Sequence, residues 1–119
     1  MMTTLVFGGA GFVGSHLCRR LLFEGHNVVC VDDLSTGALE NISELLPKEQ
    51  FTFLNQDVCI PIDIETSLIF NLACPASPKD YQKTPTKTTK TAVIGAINCL
   101  ELASRNRATI FQASTSEVY

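Results

Sequence analysis

The sequence has no C-x-x-C pair, and its two histidines, His16 and His26, are too few to complete a zinc site with the five cysteines. Cys18, Cys30, Cys59, Cys74 and Cys99 are odd in number and mostly lie inside apolar periodic segments. They read as small buried residues of a reduced, cytoplasmic protein. No apolar run approaches the ~18 residues of a membrane span. The opening stretch, MMTTLVFGGAGF, lacks a basic leading region and runs straight into glycines, so it reads as a first strand rather than a signal peptide. Basic residues are scattered, and the formal net charge is −3, which gives no electrostatic case for nucleic acid or an anionic membrane surface. Internal repeats, low-complexity tracts and an interdomain linker are all lacking.

What is present fits one domain of ordinary size: 119 residues, 45% hydrophobic and 18% charged. Thr3 to Phe7 is a short apolar run before glycines, the pattern of a buried strand. Phe12 to Glu24 carries Val13, Leu17 and Leu21 at helical spacing, and Gly25 stops it. Asn27 to Val31 reads as strand two, Leu39 to Leu46 as a short helix ended by Pro47, and Phe51 to Asn55 as strand three. Pro61 to Ser67 is mixed, with space for a helical turn. Leu68 to Leu72 is strand four, and Ala73 to Pro85 a proline-rich loop. Thr86 to Arg105 is a long helix with an apolar stripe of Val93, Ile97 and Leu100, and Thr109 to Ala113 is strand five. Strand and helix alternate throughout, so a doubly wound α/β fold of Rossmann type is expected, its parallel sheet ordered 3-2-1-4-5. Strand five would be an edge of Ile110, Phe111 and Ala113, poor in protecting charges and prolines. The expectation is therefore the front part of a longer protein, truncated after strand five, with residues 1–119 a dinucleotide-binding domain and no substrate domain.

The turn after strand one reads Gly8-Gly9-Ala10-Gly11-Phe12-Val13-Gly14. It satisfies G-x-G-x-x-G through Gly9, Gly11 and Gly14, and G-x-x-G-x-x-G through Gly8, Gly11 and Gly14. Glycine serves here for a tight turn, for close approach of backbone to pyrophosphate and for close packing of helix on strand. The helix that follows points free N–H groups and its positive dipole end at the phosphates. Asp32 lies about 20 residues further on, at the end of strand two, where a carboxylate accepts both ribose hydroxyls of an adenosine. That charge opposes a 2′-phosphate, and no arginine follows to neutralise it, so NAD is favoured over NADP. A structural glycine turn and an FAD-binding variant are the other readings of the same spacing. Asp57 and Val58 follow strand three and suit an adenine pocket or a plain surface turn. Leu72, Ala73 and Cys74 follow strand four, on the expected cofactor path. Ser114 to Tyr119 gathers hydroxyls and a carboxylate at the end of strand five, where a nicotinamide would lie or where capping residues would end a strand.

Taken together, GGAGFVGSHL, VDDLSTG, QDV, NLACPASP, TPTKTTKT and ASTSEVY resemble, in order and spacing, the extended short-chain dehydrogenase/reductases that act on nucleotide sugars. Within that NAD-dependent epimerase/dehydratase group the motifs look most like the UDP-glucuronate decarboxylases (UDP-xylose synthases), which carry Thr-Ser-Glu where dehydratases usually carry Thr-Asp-Glu. The resemblance implies that Gly8, Gly11, Phe12, Val13 and Gly14 hold the pyrophosphate of NAD. Asp32, Asp33, Leu34 and Thr36 would surround the adenosine ribose, and Asp57 and Val58 the adenine. Leu72, Cys74 and Thr91 would line the path to the nicotinamide, and Tyr81 and Lys90 would lie near the nucleotide sugar. Thr115 would bond the hydroxyl being oxidised, with Ser116 and Glu117 serving the later chemical step.

The implied reaction is that of a lyase: oxidation at C4 of UDP-glucuronate, loss of CO₂ from the β-keto acid, and re-reduction with the same NAD. Relatives of this kind form homodimers through the helix at 86–105 and the helix after strand five. Cys74 stands where these relatives carry Ser, and Ala92 where they carry Asn; Asp63, Glu101 and Ser104 also differ from the usual residues. The family's Tyr-x-x-x-Lys is absent from these 119 residues, since neither Tyr81 nor Tyr119 has a lysine four positions on. General-base help worth roughly 10²–10⁴-fold would come from that pair. Alternatives to the decarboxylase are a dTDP-glucose 4,6-dehydratase-like or epimerase-like enzyme, and a non-catalytic NAD-binding fragment.

Overall fold

The computed structural model describes residues 2–73 and 85–114. In chain order these form β1 (Thr3–Phe7), α1 (Phe12–Phe23), β2 (Asn27–Asp32), a 3-10 turn (Leu39–Ile42), β3 (Phe51–Asn55) and β4 (Leu68–Asn71). Then come α2 (Pro85–Lys90), a π-helical segment (Thr91–Gly95), α3 (Ala96–Asn106) and β5 (Thr109–Gln112). The five strands make one sheet in the order β3-β2-β1-β4-β5, and each pairing is parallel. This is the α/β topology the alternating pattern predicts.

β1 is central, and its side chains alternate between two cores. Val6 joins Cys18 and Leu21 of α1, Val28 and Cys30 of β2, and Ile42, Leu45 and Phe51 on one face. Leu5 and Phe7 join Val31, Ile69, Val58 and Cys99, Leu102 and Ala103 of α3 on the other. Burial on both faces explains why strands one and two read as continuous apolar runs rather than alternating ones. Cys18, Cys30 and Cys99 are fully buried free thiols, and Cys59 is half-buried. Burial pushes the Cys99 thiol up to about 12, so it stays neutral.

Several local expectations are corrected. The helix expected over Leu39 to Leu46 is a single 3-10 turn ending at Ile42, followed by turns. Its backbone is held instead by side-chain ties: Arg19 donates to Asn41 O at 2.7 Å, and Asn41 Nδ2 donates to Ala10 O at 2.8 Å. Pro61 to Ser67 contains no helical turn. Its carbonyls find partners on α3, with Arg105 donating to Ile62 O at 3.2 Å and Asn106 to Ile64 O at 3.2 Å. Val13 is not on the core face of α1; it is 64% exposed, while the buried positions are Gly14, Ser15, Cys18 and Leu21.

The long helix runs from Pro85 to Asn106 but is interrupted by the π-helical segment, so it is not one uniform α-helix. Its apolar stripe exists, yet Val93, Ile97 and Leu100 are 53%, 48% and 55% exposed. The face turned to the sheet is Gly95, Cys99, Leu102 and Ala103. Gly95, Cys99 and Ala103 let this helix lie close to the strands, with Leu102 the one bulky side chain among them, while Val93, Ile97 and Leu100 are left on the outside.

Candidate functional site

All five strands deliver their carboxyl ends to one edge of the sheet. β1 and β4 are neighbours there, while the helices that follow β1 and β4 pack on opposite faces. That is the crevice where open α/β sheets bind ligands. The two loops touch at Gly8, whose φ of +80° suits glycine alone; a methyl group on it would lie 2.7 Å from the Leu72 carbonyl carbon. Gly8 N–H donates to Val31 O at 2.8 Å, so the loop leaves β1 anchored to β2.

The glycine loop closes on itself next. Gly11 N–H donates to Gly8 O at 3.2 Å, and a methyl on Gly14 would meet that same oxygen at 2.2 Å. Gly14 is therefore fixed by close packing of α1 against the loop. Gly11 differs: a methyl there would meet only Gly8 O, at 3.4 Å, because its other side is open. The helical ladder begins with Ser15 N–H donating to Gly11 O at 3.0 Å, and no side chain caps the start. The preceding N–H groups of the first turn have no intrahelical acceptor, and no acidic residue sits among them. Phe12 and Val13, both exposed, flank this opening. Backbone donors and a helix dipole end converge on a space that can take an anion.

Asp32 ends β2 nearly buried. Its Oδ2 accepts the Ala10 N–H at 2.9 Å and its Oδ1 the Leu34 N–H at 2.8 Å. Each carboxylate oxygen retains a further acceptor position. Leu34 sits at a φ of 64°, the left-handed region, which turns the chain sharply and lets the carboxylate hold the N–H two residues on. Asp33 faces outward and accepts both Ser35 N–H, at 3.0 Å, and Ser35 Oγ, at 2.7 Å. Its Oδ2 accepts the Lys87 ammonium at 3.0 Å. Burial alone would raise the Asp33 carboxyl, but the Ser35 and Lys87 hydrogen bonds outweigh it and hold it below the ordinary carboxylate value. The same bond raises the Lys87 ammonium against the opposing push of burial.

Lys87 belongs to a cleft of about 530 Å³ lined by Asp57, Cys59, Pro85, Thr86, Lys87, Lys90 and Thr91. Asp57 Oδ1 accepts the Cys59 N–H at 2.9 Å, so the carboxylate is folded into its own turn while lining the cleft. Burial and then the Asp57 carboxylate raise the Cys59 thiol, with Thr91 and Lys90 pulling the other way. Val58 is buried beneath this wall; Asn98 donates to its carbonyl at 3.0 Å and Gly95 packs against its methyls. Among the described residues, no three His, Cys, Asp or Glu side chains gather into a metal-binding group, and no helix is long and apolar enough to cross a membrane.

The expected residues Gly8, Gly11, Asp33, Leu34, Thr36, Asp57, Val58 and Leu72 thus lie in the loops at one end of the sheet, with Phe12, Val13 and Gly14 in the first turn of α1, Asp32 at the end of β2, and Thr91 and Lys90 on the helical wall. Cys74, Tyr81, Thr115, Ser116 and Glu117 lie outside the described residues. Lys87, Cys59 and Ser35 were not anticipated. Lys87 stands one turn before Lys90 and Thr91 on the same helix face, but its pairing with Asp33 has no local signal in the sequence.

A profile for GDP-mannose 4,6 dehydratase matches residues 5–119. UDP-glucuronic acid decarboxylase 1 of Danio rerio is 49% identical over 115 residues, which covers 97% of this chain and 28% of that protein. A crystal structure of a UDP-galactose 4-epimerase superposes with a TM-score of 0.84 at 30% identity, covering 99% of this chain and 40% of that one. The UDP-glucose 4-epimerase of Thermus thermophilus, solved as a complex with NAD, superposes with a TM-score of 0.73 at 29% identity, covering 92% of this chain and 36% of that one. The chain therefore spans little more than a quarter of the curated relative and well under half of the solved structures. A profile match over nearly every residue, on a fold shared with these sugar-nucleotide epimerases, settles the kinship: the chain belongs to the epimerase–dehydratase family that the GDP-mannose 4,6 dehydratase profile describes.

Proposed function

We propose that residues 1–119 are the NAD-binding part of a nucleotide-sugar enzyme whose reaction is the decarboxylation of UDP-glucuronate. The observation that carries the reading is the loop from Gly8 to Gly14 held against Asp32, with an opening at Gly11 bounded by free N–H groups. That cradle is shaped for a pyrophosphate, and the carboxylate beside it has acceptor positions left for ribose hydroxyls but opposes a 2′-phosphate. The fit favours NAD over NADP, and the NAD complex of the Thermus thermophilus epimerase supports NAD over FAD. The UDP-glucuronic acid decarboxylase name of the 49%-identical relative supports the choice of reaction.

In this reading Gly8, Gly11, Phe12, Val13 and Gly14 bind the pyrophosphate. Asp32, Asp33, Leu34 and Thr36 orient the adenosine ribose, and the cleft beside Asp57 and Val58 takes the adenine. Leu72, Cys74 and Thr91 line the way to the nicotinamide, and Tyr81 and Lys90 meet the sugar nucleotide. Thr115, Ser116 and Glu117 serve the chemistry at the end of β5. Bound NAD would supply a hydride acceptor for C4 of the sugar and return the hydride after CO₂ has left. The exposed helix face of Val93, Ile97 and Leu100 packs against a second copy of the protein.

Supplying the intact protein with UDP-glucuronate and NAD tests the reaction directly. Release of CO₂ with formation of UDP-xylose is expected. A 4-epimer or a 4-keto-6-deoxy sugar from the matching substrates, with no CO₂, would replace the decarboxylase by an epimerase or dehydratase. NAD binding with no turnover of any sugar nucleotide would leave a non-catalytic binding module.

A further inference from the structure

Two acids stand in tandem at the end of β2, and they do different things. Asp32 is turned inward and accepts hydrogen bonds from the glycine loop and from Leu34. Asp33 is turned outward and meets a cation from the opposite wall, Lys87 Nζ, at 3.0 Å. Asp57 also acts on that ammonium electrostatically. Lys87 lines the cleft beside Asp57, and Asp33 directly follows Asp32, the last residue of β2, to which the ribose role is given. An ammonium at this place is the kind of group that would attract a ribose phosphate. Paired with Asp33, its charge is cancelled.

We propose that the Asp33–Lys87 pair is a specificity determinant: Asp33 masks a lysine that would otherwise favour a 2′-phosphorylated adenosine, so the site selects the unphosphorylated ribose by masking as well as by the Asp32 charge. The inference rests on the dinucleotide reading above. It also explains why a lysine can line the adenosine end of a site that prefers NAD.

The quantity to measure is the ratio of dissociation constants for NADP and NAD, by calorimetry on the intact protein. Asp33→Asn uncovers the ammonium and is expected to lower the ratio by about fivefold, the scale of a partly exposed ion pair. Lys87→Gln uncovers the carboxylate and is expected to raise it. The double variant restores the local charge balance and is expected to return the ratio close to its starting value. A purely structural pair would weaken both dinucleotides by the same factor and leave the ratio fixed, and that result overturns the proposal. So does movement of the ratio in the same direction in both single variants. If Asp33→Asn fails to fold, the sign of the Lys87→Gln change decides alone. Failure of the unsubstituted protein to bind either dinucleotide would overturn the dinucleotide reading itself and this inference with it, an outcome distinct from an unmoved ratio.

Discussion

Ala10 gives its backbone N–H to Oδ2 of Asp32 across 2.9 Å, tying the glycine loop after β1 to the end of β2. The acid expected to recognise a ribose is therefore also a strut of the loop expected to hold the phosphates. Asp32→Ala removes the acceptor and leaves a buried N–H unpaired, which costs about 2 kcal/mol. Urea unfolding of that variant should show the loss. Asp32→Asn keeps one carbonyl oxygen for Ala10 and should cost less, while still weakening NAD through the lost charge. Equal destabilisation by both variants would mean the charge, and not the acceptor, holds the loop.

The pair between Asp33 and Lys87 makes a signed prediction about pH. Asp33 lies below its ordinary value, so its share of stability is complete above about pH 4 and is lost as pH falls through the lowered value. Lys87 is raised, so its share is present up to about pH 10 and is lost only as pH climbs through the raised value. Lys87→Met should move the Asp33 carboxyl upward in an NMR titration. Both groups are partly exposed, so the change in overall stability should be small and should shrink further with salt. An unmoved Asp33 titration would show that Ser35 alone sets its value.

The order of the sheet was legible because alternation of strands and helices, together with right-handed crossovers, leaves few topologies. The glycine loop was legible because its requirements are stereochemical: a positive φ at Gly8 and a 2.2 Å approach at Gly14 admit no other residue. The orientation of helix faces was less so. Val13, Leu17 and Leu21 have helical spacing, yet the core takes the smaller Gly14, Ser15 and Cys18 with Leu21. The same holds near Val93, where hydrophobicity marks the outside and small residues mark the sheet side. A period reports that a helix is two-faced, and residue volume against a nearby strand decides which face goes in. Lys87 was missed because its meaning comes from a partner 54 positions earlier, a distance no local pattern spans.

Val93, Ile97 and Leu100 form an exposed apolar stripe running from the π-helical segment into α3. If that stripe seats a second copy, charges placed within it will split the assembly. Ile97→Glu with Leu100→Glu should convert a dimer to a monomer in light scattering, with little loss of monomer stability because neither side chain is in the core. A monodisperse monomer before substitution would remove the dimer from the reading. A dimer unaffected by both glutamates would move its interface elsewhere.

Gly95 lies in the π-helical segment and faces Val58, the residue after the acid that lines the cleft. A methyl group at position 95 would lie 2.6 Å from Val58 Cγ1 and 3.3 Å from Cγ2, so the helix or the Val58 side chain must shift. Gly95→Ala should therefore push the helix away from the loop after β3 and cost about 1–3 kcal/mol. Val58→Ala alone removes buried methyls and costs about 1–2 kcal/mol for the lost packing. Combined, Val58→Ala makes space for the methyl at position 95, and that methyl fills part of the cavity Val58→Ala leaves. The double variant should be more stable than the sum of the two losses predicts, by about 1 kcal/mol or more in a denaturant cycle. The same contact positions the wall carrying Lys87, Lys90 and Thr91, so Gly95→Ala should weaken NAD as well, and Val58→Ala should restore part of that affinity. Strict additivity in stability would mean the helix relaxes without pressing on Val58. In that case the wall of the cleft is set by the Asn98 hydrogen bond to the Val58 carbonyl instead.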